Sequence, residues 1–233
     1  VKKVTLAIAT VLAGALSLGV ALASSHAPAP TVTAAESLQK LMDGNKRYVT
    51  NQMTGVKSGD AAARTKLAAS QAPYAIILSC SDSRVPPELI FDDGLGEIFV
   101  VRVAGNVVDP IVLGSIEYAA EHLGTPLIMV LGHERCGAVT ATVAAKGKAE
   151  GNIGAIVKAI APALKKAEAA KKVAAKDKAQ FVEAVTDENT KQVKANLTKQ
   201  SKVLAHLVKE GKIKIVTGKY DLDDGIVTVV EGL

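Results

Sequence analysis

The sequence predicts a single α/β domain with a mainly parallel central sheet of four to five strands flanked by helices. Three observations carry that prediction. Short, continuous, β-branched apolar runs recur along the chain, as in strands buried on both faces of a parallel sheet. Segments with helical spacing stand between them, and this alternation calls for crossover connections. The chain has 233 residues, 48% of them hydrophobic and 22% charged, which suffices for one sizeable core. With three Phe, four Tyr and no Trp, that core is built from Val, Ile, Leu and Ala.

The N-terminal segment is not part of the predicted domain. Lys2 and Lys3 precede an apolar stretch from Val4 to Ala23, which ends in the small-x-small pattern Ala21-Leu22-Ala23. This reads as a signal peptide at residues 1–23, cleaved after Ala23, with Ala27 as a second candidate. An uncleaved anchor is the competing reading, since the stretch is just long enough to span a bilayer. Residues 24–34 read as a flexible tether and residues 35–233 as the folded domain. The expected location is the bacterial periplasm, with no stable membrane anchor once the leader is removed.

The elements follow in order. Ala35 to about Met53 reads as a helix, with Leu38, Leu41, Met42 and Tyr48 near helical spacing and Glu36 placed to favour its start. Thr54 to Gln71 is polar and Ala-rich, a loop with a second short helix. Tyr74–Ser79, Glu97–Val103 and Leu127–Leu131 are three apolar runs expected as strands. Pro110 to Leu123 is a helix, with Ile111, Ser115, Tyr118, Ala119 and His122 spaced for one face. From Ile153 to Lys209 the pattern is helical, with interruptions expected at Gly151, Pro162 and Asp187-Glu188-Asn189. Ile213–Thr217 and Ile226–Val230 are the last two strands, and the Asp223-Asp224-Gly225 turn predicts a terminal hairpin.

The formal net charge is +5, and the basic excess lies mostly from Lys158 to Lys178. No aromatic residues interleave with Arg there, so the charge reads as a solvated helix face and nucleic acid is not an expected partner.

The two cysteines stand in compact polar clusters, Cys80-Ser81-Asp82-Ser83-Arg84 and His133-Glu134-Arg135-Cys136. In an exported chain a disulfide between them is one reading. The other is a metal site. Cys80 directly follows an apolar strand and His133 comes two residues after another. Neighbouring strands would deliver both at the carboxyl edge of the sheet, where open α/β sheets bind ligands. Cys136 falls at the start of the next helix, where the macrodipole favours a thiolate. Two thiolates, an imidazole and a nearby carboxylate suit tetrahedral Zn2+ with one exchangeable position. Asp82 and Arg84 point the same way in an extended segment and can form a charge-assisted pair. His122 and His206 lack partner motifs and read as structural.

These motifs, together with FVVRVAGN, SIEYA and GHERCG, identify the sequence from about Ala35 onward as resembling the β-class carbonic anhydrases. The resemblance implies reversible hydration of carbon dioxide to bicarbonate and a proton by a zinc-bound hydroxide, with zinc held by Cys80, His133 and Cys136. It implies that Asp82 either closes the zinc as fourth ligand or swings onto Arg84, making Asp82 and Arg84 the catalytic pair. Gln71, Phe99, Tyr118 and Gly137 are implied substrate-binding residues, some of them supplied across a dimer interface. The implied assembly is a homodimer or tetramer. Some members carry a regulatory bicarbonate site with a tryptophan at the position held here by Ile77, so that site is expected to be absent and the open state favoured. The same ligands would also serve a hydrolase acting on carbonyl sulfide or carbon disulfide, and a non-enzymatic zinc or redox protein is the remaining alternative.

Overall fold

The structure is a computed structural model that describes residues 32–55, 59–170 and 177–233. The expected signal peptide and most of the tether lie outside the described residues. Five strands, β1 (Ala75–Ser79), β2 (Ile98–Arg102), β3 (Leu127–His133), β4 (Lys214–Tyr220) and β5 (Val227–Glu231), form one sheet in the order β2-β1-β3-β4-β5. The first three pairings are parallel and β4–β5 is antiparallel, the expected terminal hairpin. Parallel pairing follows from the connections. Helix α4 (Pro110–Glu121) lies between β2 and β3. Four helices, α5 (Gly137–Ala144), α6 (Gly151–Ala169), α7 (Lys178–Gln200) and α8 (Lys202–Lys209), lie between β3 and β4. Three helices precede β2: α1 (Ala34–Val49), α2 (Ala61–Leu67) and the short α3 (Pro87–Ile90), which the apolar pattern does not reveal.

Every residue of β1 and β3 is buried, because helices cover both faces of the central sheet. On one face Ala75, Ile77, Leu127, Met129 and Leu131 pack with Leu41 of α1, Val139 of α5 and Ile160 of α6. On the other, Ile76, Leu78, Ile128 and Val130 pack with Ile116 of α4 and Leu204 of α8. Each such aliphatic side chain contributes roughly 1.5–3 kcal/mol of burial free energy.

The N-terminal helix is closed by a capping box: Glu36 N–H donates to Thr33 Oγ1, and Thr33 N–H donates to the Glu36 carboxylate. Thr33 therefore belongs to the helix end rather than to the expected tether, and the helix starts at Ala34. It stops at Val49 instead of near Met53, where Asn51 turns left-handed at φ +58°.

Two sequence expectations are corrected. Helix α4 buries Val112, Leu113, Ile116, Ala119 and Ala120, while Ile111 and Tyr118 face outward. The residues at 112, 113, 116, 119 and 120 supply the wider apolar stripe, and that stripe is what the sheet selects. The second correction concerns the long helical region. Helix α6 runs through Pro162, and α7 runs through Asp187-Glu188-Asn189. Proline inside a helix costs about 3 kcal/mol through a lost bond and a ring clash, and the burial of Val157, Ile160, Ala163 and Leu164 around it offsets that. The polar residues of α7 stay helical because their side chains bond outward, Asp187 to Lys219 and Asn189 to Gly105.

Helix α7 serves both core layers, Val185 in one and Val193 and Leu197 in the other. Midway along it, Thr190 presses on Gly132, where a Cβ would collide with its hydroxyl. The middle of α7 thus lies against the end of β3, immediately before His133.

Candidate metal centre

Strands β1 and β3 are neighbours, with Ser79 paired to Leu131. The chain therefore leaves both strands at one edge. Cys80 follows β1 directly, His133 ends β3, and Cys136 caps the start of α5. All three are buried, and their ligand atoms lie within 4.8 Å of one another. The two cysteines are free thiols, so the disulfide reading does not hold.

The protonation of this cluster suits a cation. Hydrogen bonding from the Cys136 thiol and from the Gly105 and Asp82 amides holds the Cys80 thiol down at about 4 against the opposing effect of burial. The Cys80 thiolate and burial push Cys136 up, opposed by the Val139 and Ala138 amides of α5. On His133, Nδ1 lies 2.8 Å from the Glu134 carbonyl, which accepts its proton. That leaves Nε2 as the lone-pair nitrogen, and it is buried without a hydrogen-bond partner. A buried polar atom without a partner costs about 1–3 kcal/mol. A metal ion would satisfy it. Two thiolates and one imidazole are a donor set that zinc takes in tetrahedral sites with one open position.

Asp82 lies outside this group of ligand atoms. Its carboxylate is gripped by Arg84, Nε to Oδ1 at 2.9 Å and Nη2 to Oδ2 at 2.7 Å, and the Arg84 amide adds a third bond to Oδ1. Of the two places expected for it, Asp82 takes the one on Arg84. The Arg84 hydrogen bonds hold its pKa well below the usual carboxylate range.

The sequence model of the carbonic anhydrase family matches residues 75–227, which contain the whole cluster.

The chain belongs to the β-class carbonic anhydrase family.

It is 38% identical over 199 residues to carbonic anhydrase 2 of Mycobacterium tuberculosis, covering 84% of this chain and 92% of that protein. It is 39% identical over 188 residues to the carbonic anhydrase of Mycolicibacterium smegmatis, covering 79% and 87%. Among solved structures, the Coccomyxa β-carbonic anhydrase in complex with acetazolamide superposes with a TM-score of 0.68 at 25% identity, over 83% of this chain and 86% of that one. A tetrameric β-carbonic anhydrase of Sordaria macrospora gives 0.61 at 24% identity, over 84% and 94%, and supports the fold alone.

The four residues expected at the carbonic anhydrase substrate site fall in two places. Gly137 is exposed at the first turn of α5 beside Cys136, and a Cβ there would meet open space. Gln71 and Tyr118 line a surface cavity of about 630 Å³ with Leu67, Leu95 and Ile98, and none of Cys80, His133 and Cys136 borders it. Phe99 pairs with Ile76, packs on the α4 side of the sheet, and sits 6.4 Å from Tyr118 ring to ring. One chain does not bring Gln71 and Tyr118 together with the thiols.

Other residues at the centre have no role in the sequence reading. Arg102, at the end of β2, donates from Nε to the Cys80 carbonyl at 2.9 Å and from Nη2 to the Asp82 carbonyl at 2.6 Å. Gly105 donates its N–H to Cys80 Sγ at 3.3 Å. Asn106 Nδ2 donates to the Leu131 carbonyl at 3.2 Å. All three stand in FVVRVAGN, so the motif that carried the resemblance also marked them. Glu183 of α7 accepts the Arg135 N–H at 2.7 Å and pairs with Lys219 at 2.9 Å. No sequence signal marked it, because it stands in a region read only for its apolar stripes.

Proposed function

We propose that this chain catalyses reversible hydration of carbon dioxide to bicarbonate and a proton at a zinc ion held by Cys80, His133 and Cys136. The observation that carries the proposal is the buried convergence of two thiols and an unpartnered imidazole nitrogen at one sheet edge. Zinc bound there lowers the pKa of a water and supplies a hydroxide nucleophile near neutral pH.

The chain's own residues supply the rest. Asp82, kept ionised by Arg84, accepts a proton of the attacking group and so orients its lone pair toward the substrate carbon. Arg84 holds that carboxylate away from Cys80, His133 and Cys136, so that it would not compete with the reactants for a zinc bound there. Arg102 fixes the Cys80 and Asp82 carbonyls and hence the turn that carries both side chains. The thiolates cancel the charge of the zinc. This supports a kcat/KM that rises from neutral into alkaline pH, because the water is acidified less than in a three-imidazole site.

Gln71, Phe99 and Tyr118 serve the substrate from a second copy of the chain. The separation of Gln71 and Tyr118 from the thiols within one chain supports a homodimer, and so does the outer edge of β2, which has no strand partner beyond it among the described residues. Export to a bacterial periplasm rests on the basic, apolar and small-residue succession of residues 1–23. Among the described residues no helix is long and apolar enough to cross a membrane.

Stopped-flow assays of carbon dioxide hydration, run beside assays of sulfide release from carbonyl sulfide and carbon disulfide, test the reading. Hydration that is lost in Cys80→Ser together with zinc supports it. Sulfide release without hydration would reassign the substrate.

A further inference from the structure

Gly105 is the residue whose backbone amide reaches the Cys80 sulfur, at 3.3 Å. It is held in a left-handed conformation, φ +69°, and a Cβ there would lie 2.8 Å from Ile160 Cδ1. No residue but glycine suits that place, yet glycine has the least conformational preference of its own. Its orientation therefore has to be imposed by neighbours. The Gly105 carbonyl accepts a hydrogen bond from Asn189 Nδ2 at 2.8 Å, from the middle of α7. Asn189 is 2% exposed, and its Oδ1 has no partner among the described residues. An amide buried for a single hydrogen bond is a poor contribution to stability, because desolvating the unpaired oxygen offsets the bond that is made. It makes sense as a clamp on the residue whose N–H is donated to the Cys80 sulfur.

We propose that Asn189 is a positioning residue that holds Gly105 so that its N–H stays donated to the Cys80 thiolate, drawing charge from that sulfur and limiting how strongly it donates to the metal. A hydrogen bond to a metal-bound thiolate stabilises the sulfur lone pairs, as second-shell bonds tune metal ligands generally. The inference rests on Cys80 being a metal thiolate, as in the reading above.

The test uses the full chain loaded with cobalt(II) alone in place of zinc, and Asn189→Leu, which keeps the volume and removes the donor. Thr190→Val is the control. It perturbs the adjacent buried position of α7, where the hydroxyl donates only to the Thr186 carbonyl. In Asn189→Leu the sulfur-to-cobalt charge-transfer band moves to lower energy, and a chelator strips zinc about 10-fold more slowly than from wild type, because the sulfur then donates more strongly. In Thr190→Val both stay at the wild-type values even where the melting temperature falls. An unshifted band in Asn189→Leu, or an equal shift in Thr190→Val, would overturn the proposal. Should Asn189→Leu not fold, wild-type protein loaded with cadmium-113 gives the answer by NMR. The Gly105 amide proton is expected to couple to the cadmium through the sulfur, and absence of that coupling overturns the proposal. A wild type that takes up no cobalt would overturn the metal-centre reading and this inference with it. A wild type that binds cobalt, beside an unshifted Asn189→Leu, would overturn this inference alone.

Discussion

Arg84 holds both oxygens of Asp82, at 2.9 and 2.7 Å, two residues away along one turn. The pairing is bidentate, and the Arg84 side chain is about half exposed. Its value lies in direction rather than in stability, since exposed pairs contribute at most about 1 kcal/mol. It keeps the carboxylate off the Cys80–His133–Cys136 group while leaving it ionised. Removing the arginine frees the carboxylate to move onto the metal. Arg84→Leu is therefore expected to keep its zinc and lose hydration activity by roughly 10- to 100-fold. Asp82→Asn is expected to keep zinc and lose about 100-fold or more, as for a missing proton acceptor. Zinc analysis beside stopped-flow rates checks both. A fully active Asp82→Asn would remove the role assigned to Asp82.

Glu183 pins the turn between His133 and Cys136. Its carboxylate accepts the Arg135 N–H and faces Lys219, and Arg135 itself is left-handed at φ +49°. A non-glycine residue in that region costs of order 1 kcal/mol. Glu183→Leu lets the turn relax and the ligand spacing with it. The expected result is zinc affinity lower by about 10-fold with the fold retained, measured by chelator competition and circular dichroism. Unchanged affinity would mean that Lys219 and the β4 end hold the turn without Glu183.

The fold class and the convergence of Cys80, His133 and Cys136 were legible in the sequence because each rests on short-range pattern. Apolar runs gave the strands, and polar clusters at the ends of β1 and β3 gave the candidate ligands. The buried face of α4 is hard to read because Ile111 and Tyr118 are large and conspicuous, whereas the buried stripe ends in Ala119 and Ala120. Asp187-Glu188-Asn189 looked like a helix break because polarity was read without its partners. Those partners, Lys219 and Gly105, lie in other elements and are visible only once the chain is folded. Gln71 and Tyr118 were placed by resemblance, and one chain alone leaves them apart from the thiols.

That separation yields a prediction about assembly. Tyr118 is 48% exposed on the outer face of α4. The proposed homodimer is expected in sedimentation of the unaltered chain, and a monomer where a charge is introduced with Tyr118→Arg. Activity should fall with it while zinc is retained, because the metal centre lies wholly within one chain. A monomer with wild-type activity would contradict the role of the second copy.

Asp93 supplies a pH effect remote from the metal. Its carboxylate is buried and accepts from Tyr74 Oη at 2.7 and 2.8 Å. Burial raises its pKa to about 7, against the lowering effect of the Tyr74 bond. In the unfolded chain it titrates near the ordinary value of about 3.9. Between those limits the folded state binds the proton and the unfolded state does not. Its contribution is thus fully present below pH 4 and is lost as pH rises toward 7, amounting to a few kcal/mol. Asp93→Asn keeps an acceptor for Tyr74 and removes the titration. Urea midpoints are expected to fall less between pH 5 and 8 in the variant than in wild type. Parallel curves would show that Asp93 ionises normally.

The central claim is that Cys80, His133 and Cys136 hold a zinc on which carbon dioxide hydration depends. Zinc content and the initial hydration rate, measured on one purified preparation, test it most directly. The account predicts one zinc per chain and rapid hydration, with both lost in Cys80→Ser. Purified protein without zinc, carrying a Cys80–Cys136 disulfide and hydrating carbon dioxide no faster than buffer, would contradict it.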